Sequence, residues 1–202
     1  MKHKIYILLL LAGYICTSAN TVSAQREDKT IKYGIIVLGT NIGELSVNQH
    51  KTKDEIVVEA LTKVDVKIVF HYKVQFYQKS IYRNKELYSS HIQTLKNGEV
   101  HSDTWLKKNG NNYLLIKKGD TTIIKDKIAY SGSMLYFDEP VNTSTMYLEI
   151  NGEKNSIKEI ANHIYLLTDN DNQEKSKYTY KNGILQRSEI KHAIADIYVE
   201  RK

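Results

Sequence analysis

The longest hydrophobic pattern in the sequence is a two-residue alternation in VEALTKVDVKIVFHYKVQFY, residues 58–77. Nearly every even position is apolar or aromatic, which is typical of a β-strand with one buried face. Extended to Ile56, the pattern would span about 70 Å as one strand, whereas a domain of this size has a radius of gyration of about 16 Å. We therefore expect a corner or tight turn near residues 62–65, with both arms facing inward. The predicted inner face consists of Ile56, Val58, Ala60, Val64, Val66, Ile68, Phe70, Tyr72, Val74 and Phe76.

Turn signals divide much of the remaining chain into short strands. Asn-Gly occurs four times, at residues 97–98, 109–110, 151–152 and 182–183, between β-branched or aromatic residues. This dipeptide suits the positive φ angles of two-residue hairpin loops.

A two-residue loop at each of two Asn-Gly sites predicts a strand register. At residues 97–98 it pairs Lys96 with Glu99, Leu95 with Val100, Thr94 with His101 and His91 with Thr104. At residues 151–152 it places Glu149 opposite Lys154. Opposite charges that face each other support both hairpins.

Helical periodicity is scarce, and its best example has two interpretations. Between Ser156 and Leu167, Ser156 and Glu159 have capping-box spacing, and Ile157, Ile160 and Ile164 could share a helix face. The same residues also fit the returning arm of a hairpin, which we favour. The sequence thus predicts an all-β protein: a strongly curved antiparallel sheet of successive hairpins, forming a half-barrel or barrel, with little helix.

The N-terminus has the features of a cleaved signal peptide. Lys2 and Lys4 precede an uncharged apolar run at residues 5–15, and Val22-Ser23-Ala24 supplies small residues for cleavage before Gln25. No other stretch approaches the roughly 20 apolar residues of a membrane-spanning helix. We therefore expect an exported protein, periplasmic or extracellular, with residues 1–24 removed and residues 25–202 forming one β-rich domain.

A lipid anchor at Cys16 is the alternative, although bulky Ile15 stands where such a signal prefers a small residue. Cleavage after residue 24 removes this single cysteine and leaves 202 minus 24, that is 178, residues. Without thiols or disulfides, stability must come from packing, and a domain of this size buries about 70% of its unfolded surface.

Charge adds little to the functional interpretation. The formal net charge of +6 falls to about +4 when Lys2 and Lys4 are removed, and basic residues are interleaved with acidic ones. This pattern gives no support for nucleic-acid binding. Peripheral contact with an anionic envelope surface is compatible with it. The oligomeric state is not predicted.

Three segments carry a family resemblance: YGIIVLGTNIGEL near the N-terminus, IAYSGSMLYFDEP in the middle and YTYKNGILQRSEI near the end. Their order resembles the DUF6134 family of exported Bacteroidetes proteins, and Leu135-Tyr136-Phe137 followed by Glu139-Pro140 is the most distinctive element. The resemblance implies an exported, β-rich protein and no catalytic residues. The chain is also distantly similar to the half-barrels that carry lipoproteins across the periplasm, which cover their sheet with helices.

Candidate chemistry is sparse. His91 and His101 fall on opposite faces in the predicted register, so they do not form a metal site together. Neighbouring Asp138 and Glu139 point to opposite sides of an extended chain and are interpreted as a turn before Pro140. We predict no catalytic residue, no cofactor and no metal ligand.

Tyrosine is unusually abundant: of 15 in the sequence, 13 follow residue 24, against one Trp and three Phe. An apolar ring with a polar tip suits sheet packing and equally a lipid or sugar contact. Small residues between aromatic ones at residues 130–137 suggest an irregular rim. The candidate ligand-binding residues are Tyr130, Tyr136, Phe137, Phe70, Tyr72 and Phe76.

The favoured hypothesis is a non-catalytic binding module or carrier of the cell envelope, whose curved sheet holds an apolar ligand or a lipidated partner. The alternatives are an envelope-polymer hydrolase, in which Asp138 or Glu139 meets another carboxylate, and a structural or interaction protein with an unpaired strand edge.

Overall fold

The computed structural model describes residues 26–67, 71–170, 173–191 and 195–202. Within these ranges there is no α-helix, and the strands form one antiparallel sheet that is not closed into a barrel. The predicted all-β class and curved antiparallel architecture are confirmed. The predicted signal peptide and Cys16 lie outside the described residues. The strands are β1 Glu27–Val37, β2 Thr40–Lys51, β3 Glu55–Lys67, β4 His71–Arg83, β5 Glu86–Lys96, β6 Glu99–Asn109, β7 Asn112–Lys117, β8 Asp120–Ile124, β9 Thr145–Leu148, β10 Glu153–Ala161, β11 Ile164–Thr168, β12 Lys175–Lys181, β13 Ile184–Ile190 and β14 Ile197–Arg201.

The sheet consists of two runs of hairpins that meet at the first and last strands. Its order is β8-β7-β6-β5-β4-β3-β2-β1-β14-β13-β12-β11-β10-β9. In the central ladder, Ile35 of β1 pairs with Val199 of β14. The two edge strands, β8 and β9, are consecutive in the chain and are joined by residues 125–144, which we call the inner segment.

Side chains bring the two sheet edges together. A Cβ atom placed on Gly152, in the β9–β10 turn, would lie 2.5 Å from Ile124 Cδ1 at the end of β8. Lys154 Nζ donates to Asp126 Oδ2 across 3.3 Å, and the Tyr147 hydroxyl donates to the same oxygen. The sheet is therefore barrel-like. Its two edges meet through side-chain contacts, at a seam formed by Ile124, Asp126, Tyr147, Gly152 and Lys154.

The long alternation turns out to be a hairpin of β3 and β4. β3 ends at Lys67, β4 begins at His71, and Val64 pairs with Val74, so the predicted corner at residues 62–65 is wrong. Because paired residue numbers always add to an even sum, even positions of both strands share one face. The two-residue alternation therefore continues across the chain reversal, so the pattern alone does not show where the reversal lies. Val58 and Ala60 are buried, as predicted.

The inner segment crosses the concave face of the sheet. The Leu87 N–H of β5 donates to the Ile128 carbonyl at 2.9 Å, and the Tyr147 N–H of β9 donates to the Tyr130 carbonyl at 3.2 Å. Between these attachments and Pro140 the chain forms a 3₁₀ turn, Gly132–Tyr136, that contacts β3, β9 and β13. The protein thus covers its own concave face with an irregular segment.

The Asn-Gly turns differ in the length and position of their loops. Residues 97–98 and 182–183 are two-residue loops with positive φ, for example 51° at Asn97 and 91° at Gly98. At the second site Asn109 pairs with Asn112, so the loop is shifted by one residue. Residues 156–167 lie in β10, the following turn and β11, and the two strands pair as a hairpin, so the favoured interpretation is confirmed.

A β-bulge changes the register of the β5–β6 hairpin. Lys96 pairs with Glu99 and Leu95 with Val100, as predicted. Beyond the bulge Thr94 pairs with Ser102 and His91 with Trp105, so the predicted partners His101 and Thr104 are wrong. His91 stacks on Trp105 with ring centroids 3.9 Å apart.

Candidate functional site

The β9–β10 turn places an acidic side chain in the interior. Leu148 pairs with Glu153 and Tyr147 with Lys154, so four residues, 149–152, form the connection. The Gly152 N–H donates to the Leu148 carbonyl at 2.8 Å and closes this loop. The predicted pairing of Glu149 with Lys154 is therefore wrong. Released from the ladder, Glu149 turns inward and is only 3% exposed.

One oxygen of this carboxylate collects hydrogen bonds from the inner segment. Glu149 Oε1 accepts from Ser131 Oγ at 2.5 Å, from Ser133 Oγ at 2.7 Å and from the Ser133 N–H at 3.1 Å. The hydroxyls of Ser80 and Tyr82 lie farther away, at 3.4 and 3.5 Å. The small residues of the Ser-Gly-Ser sequence thus let the chain wrap around the carboxylate.

Polar side chains on β4 and β5 extend this arrangement. Tyr82 hydrogen-bonds the hydroxyls of Ser131 and Ser133, the latter at 2.7 Å. Ser80 and Ser90 hydroxyls lie 2.9 Å apart, and Gln78 Nε2 donates to Ser80 Oγ at 3.2 Å. We call this set the polar cluster; its members are Gln78, Ser80, Tyr82, Ser90, Ser131, Ser133 and Glu149, all buried.

The polar cluster contains one acid and no cation. Every hydrogen bond that Glu149 accepts within the described residues comes from a neutral group. Burial, and then the negative charge of Glu149, raise the pKa of Tyr82 well above its ordinary value of 10.0. Tyr82 is therefore a neutral hydrogen-bonding group at physiological pH.

A cavity of about 220 Å³ lies beside the polar cluster, between the inner segment and the sheet. Glu149 and Gln78, both members of the polar cluster, form its polar end. Ser188 on β13 is the third polar residue of the lining, and Gly132 and Leu135 belong to the 3₁₀ turn. The remaining wall is mostly apolar, and most of it comes from both halves of the sheet. Its residues are Leu45, Phe76, Ile92, Tyr136, Leu148, Ile150, Tyr178, Leu185, Ile190 and Val199. The space thus has one polar end and an apolar body.

The structure brings two of the predicted ligand-binding residues to this cavity. Tyr136 and Phe76 line it, and the Tyr136 ring packs 5.9 Å from that of Tyr33. Tyr130 and Phe137 are instead buried in the core, with the Tyr130 hydroxyl donating to the Asp138 carbonyl. Their role in ligand binding stays a prediction.

The other two candidates are Phe70 and Tyr72. Phe70 lies outside the described residues, and so does the side chain of Tyr72, whose backbone belongs to β4. Sequence reasoning missed Glu149 and the two serines around it, because a local turn rule assigned Glu149 to a ladder. One signal was available: Gln78 and Ser80 place polar groups at even positions where β4 faces inward.

Asp138 and Glu139 point in different directions, as predicted, although Asp138 lies in a bend after the 3₁₀ turn and not in an extended chain. Glu139 Oε1 lies 2.9 Å from His163 Nδ1 and accepts from the Tyr165 hydroxyl at 3.0 Å. Asp138 lines a second pocket of about 510 Å³ with Lys51 and Lys53, and burial raises its pKa against the effect of Lys51.

In the described ranges, no three His, Cys, Asp or Glu side chains gather as a metal site would require. Nor does any helix in that part of the chain have the length and apolarity needed to cross a bilayer.

Comparison with known proteins identifies the family and the fold. The model of the domain of unknown function DUF6134 matches residues 33–202, which include the inner segment and the whole cavity lining. The chain belongs to the DUF6134 family. A crystal structure of a beta-barrel-like protein of domain of unknown function DUF1849 from Brucella abortus is similar, with a TM-score of 0.57 and 8% identity, covering 89% of this chain and 96% of that one. This likeness shows the fold alone. Comparison with curated proteins finds no match.

Proposed function

We propose that this DUF6134 protein is an exported, non-catalytic binding module or carrier of the cell envelope, which holds a small apolar or amphipathic ligand, or the acyl group of a lipidated partner, in the cavity beside Glu149. The observation that supports this most directly is the cavity of about 220 Å³ with an apolar body and one polar end. Binding pockets have this composition: mostly apolar walls and a few polar groups that orient the ligand.

The size of the cavity limits the occupant. The space measures about 220 Å³. Its volume is below the roughly 300–1,000 Å³ of drug-sized sites, so a single short acyl chain fits better than a whole phospholipid.

The direct test is native mass spectrometry of gently purified protein, together with calorimetric titration of octan-1-ol, a neutral single-chain amphiphile. We expect a co-purifying small molecule or saturable octanol binding. Val199→Phe fills the cavity and is expected to abolish binding, while Val100→Phe, at an exposed position outside it, is expected to leave binding intact. Absence of both a co-purifying molecule and octanol binding would show that the proposal is wrong.

Export rests on the sequence of residues 1–24. It predicts that protein recovered from the periplasm or medium begins at Gln25. An intact N-terminus on cytoplasmic protein would contradict it. The hydrolase alternative needs Asp138 or Glu139 to converge with another carboxylate. It concerns the second pocket, which Asp138 lines together with Asp54 and Glu55, and not the cavity beside Glu149, where Glu149 is the single acid among the described lining residues.

A further inference from the structure

The two carboxylate oxygens of Glu149 have different surroundings. Oε1 accepts hydrogen bonds from the two serines of the inner segment. Oε2 accepts none from the part of the chain that the structure describes. A Cβ atom placed on Gly132 would lie 3.1 Å from Oε2, and both Gly132 and Glu149 line the cavity. A methyl group at residue 132 would therefore crowd Oε2, the oxygen to which the inner segment gives no donor.

Oε2 belongs to a deeply buried acid without a cationic partner among the described residues. Burying a carboxylate is costly unless its oxygens find donors or a counter-charge. The inner segment satisfies Oε1 only. A hydrogen-bond donor at the polar end of the cavity would satisfy Oε2, and a positively charged donor would also supply the counter-charge.

The other polar residues of the cavity lining do not change the advantage of a positively charged donor. The Gln78 amide already donates to Ser80, and Ser188 is a neutral hydroxyl on β13. No Lys, Arg or His occurs among the described residues lining the cavity. A ligand carboxylate at the polar end would therefore meet Glu149 without a compensating cation.

Resting on the proposed function, we infer that the cavity selects a single-chain amphiphile with a primary ammonium head group, which donates to Glu149 Oε2 while its alkyl chain fills the apolar body. A hydroxyl head group donates one neutral hydrogen bond and binds more weakly. A carboxylate head group is rejected by like charge. The ligand class is thus an alkyl amine and not a fatty acid.

The test compares octylamine, octan-1-ol and octanoate, three probes with the same chain and different head groups, by calorimetric titration of the purified protein at neutral pH. A charge-assisted hydrogen bond contributes about 1 kcal/mol more than the neutral bond that octanol makes, so octylamine is expected to bind about fivefold more tightly than octanol. Octanoate is expected to bind more weakly than octanol.

Two variants test whether Glu149 Oε2 causes the preference for octylamine. Glu149→Gln keeps an oxygen acceptor for the serines and can present its amide N–H₂ to the cavity, so it is expected to lose the octylamine preference and to admit octanoate. Gly132→Ala keeps the carboxylate but places a methyl group against Oε2. It is expected to weaken octylamine binding several-fold and octanol binding less, because the hydroxyl group of octanol makes the weaker, neutral hydrogen bond. Glu159→Gln, exposed on β10, is the control.

The outcomes separate this inference from the proposed function. Octanol binding without an octylamine preference, or a preference that survives in Glu149→Gln, overturns the inference and leaves a binding cavity. Failure of all three probes, with no co-purifying molecule, overturns the proposed function itself. If Glu149→Gln does not fold, Gly132→Ala decides: unchanged octylamine affinity in that variant overturns the inference.

Discussion

The Ser133 hydroxyl donates a 2.7 Å hydrogen bond to Glu149 Oε1, and this contact fastens the inner segment to the β9–β10 turn. The Ser133 N–H donates to the same oxygen, so both the side chain and the backbone of one residue hold the carboxylate. The inner segment and the edge of the sheet are thereby positioned together.

Removing that acceptor is expected to destabilise the fold. Glu149→Ala removes the acceptor that the Ser131 and Ser133 hydroxyls share and leaves the Ser133 N–H without a partner, at a cost of about 2–3 kcal/mol. Urea denaturation measures the free energy of unfolding. Glu149→Gln, which keeps one acceptor oxygen, is expected to lose less. Equal losses in the two variants would show that the acceptor does not matter.

The seam between the sheet edges gives a second prediction. Gly152 has a φ of +72° and its added Cβ would meet Ile124, whereas Gly98 has a φ of +91° and open space around it. Alanine at either position incurs backbone strain of about 1 kcal/mol. Gly152→Ala is expected to cost more than Gly98→Ala, because only it also disturbs the seam. Identical unfolding free energies for the two would contradict a packed seam.

Leu135 tests whether the inner segment sets the size of the cavity. This side chain is buried in the 3₁₀ turn and lines the space beside Glu149. Leu135→Ala is expected to cost about 2–5 kcal/mol and to increase the affinity for decan-1-ol relative to octan-1-ol. Leu38→Ala, at a position 79% exposed, is the control. An unchanged chain-length preference would place the alcohols elsewhere.

The buried tyrosines predict a loss of stability at alkaline pH. Burial raises the pKa of Tyr178 to about 12 from 10.0, against a hydrogen bond from Ser176, and burial followed by the bond to Glu139 raises the pKa of Tyr165 to about 12. As pH rises above about 10, the unfolded chain ionises first. Their contribution to stability is therefore complete below about pH 10 and is lost as pH rises through about 12.

The measurement is the free energy of unfolding in urea between about pH 9 and about pH 12, followed together with tyrosinate absorbance. Tyr178→Phe removes one of these groups and is expected to show a shallower decline. Stability that stays constant across this interval would contradict the assigned burial.

The sequence predicted the face of each long strand better than the connections between strands. The alternation at residues 56–76 assigned Val58 and Ala60 correctly to the interior, because the two-residue period is a property of the extended backbone itself. It misplaced the chain reversal, since the register of β3 and β4 preserves that period across the hairpin.

The turn preference of the local sequence predicted the wrong connection where hydrogen bonds to distant residues contribute more to stability. The sequence Asn151-Gly152 favours a two-residue loop, yet the chain forms a four-residue connection. In that connection Glu149 reaches donors on Ser131 and Ser133, 18 and 16 residues earlier. Several hydrogen bonds to one carboxylate outweigh the small advantage of a tight turn and one exposed cross-strand ion pair.

The alternating side chains, the turn residues and the family segments thus determined an all-β chain with one apolar face, since these depend on neighbours along the backbone. Only the tertiary structure decided that residues 125–144 fold back across that face and that a carboxylate borders the remaining space. Those features require strands far apart in sequence to curve around the same volume, and no local pattern records which side chains meet there.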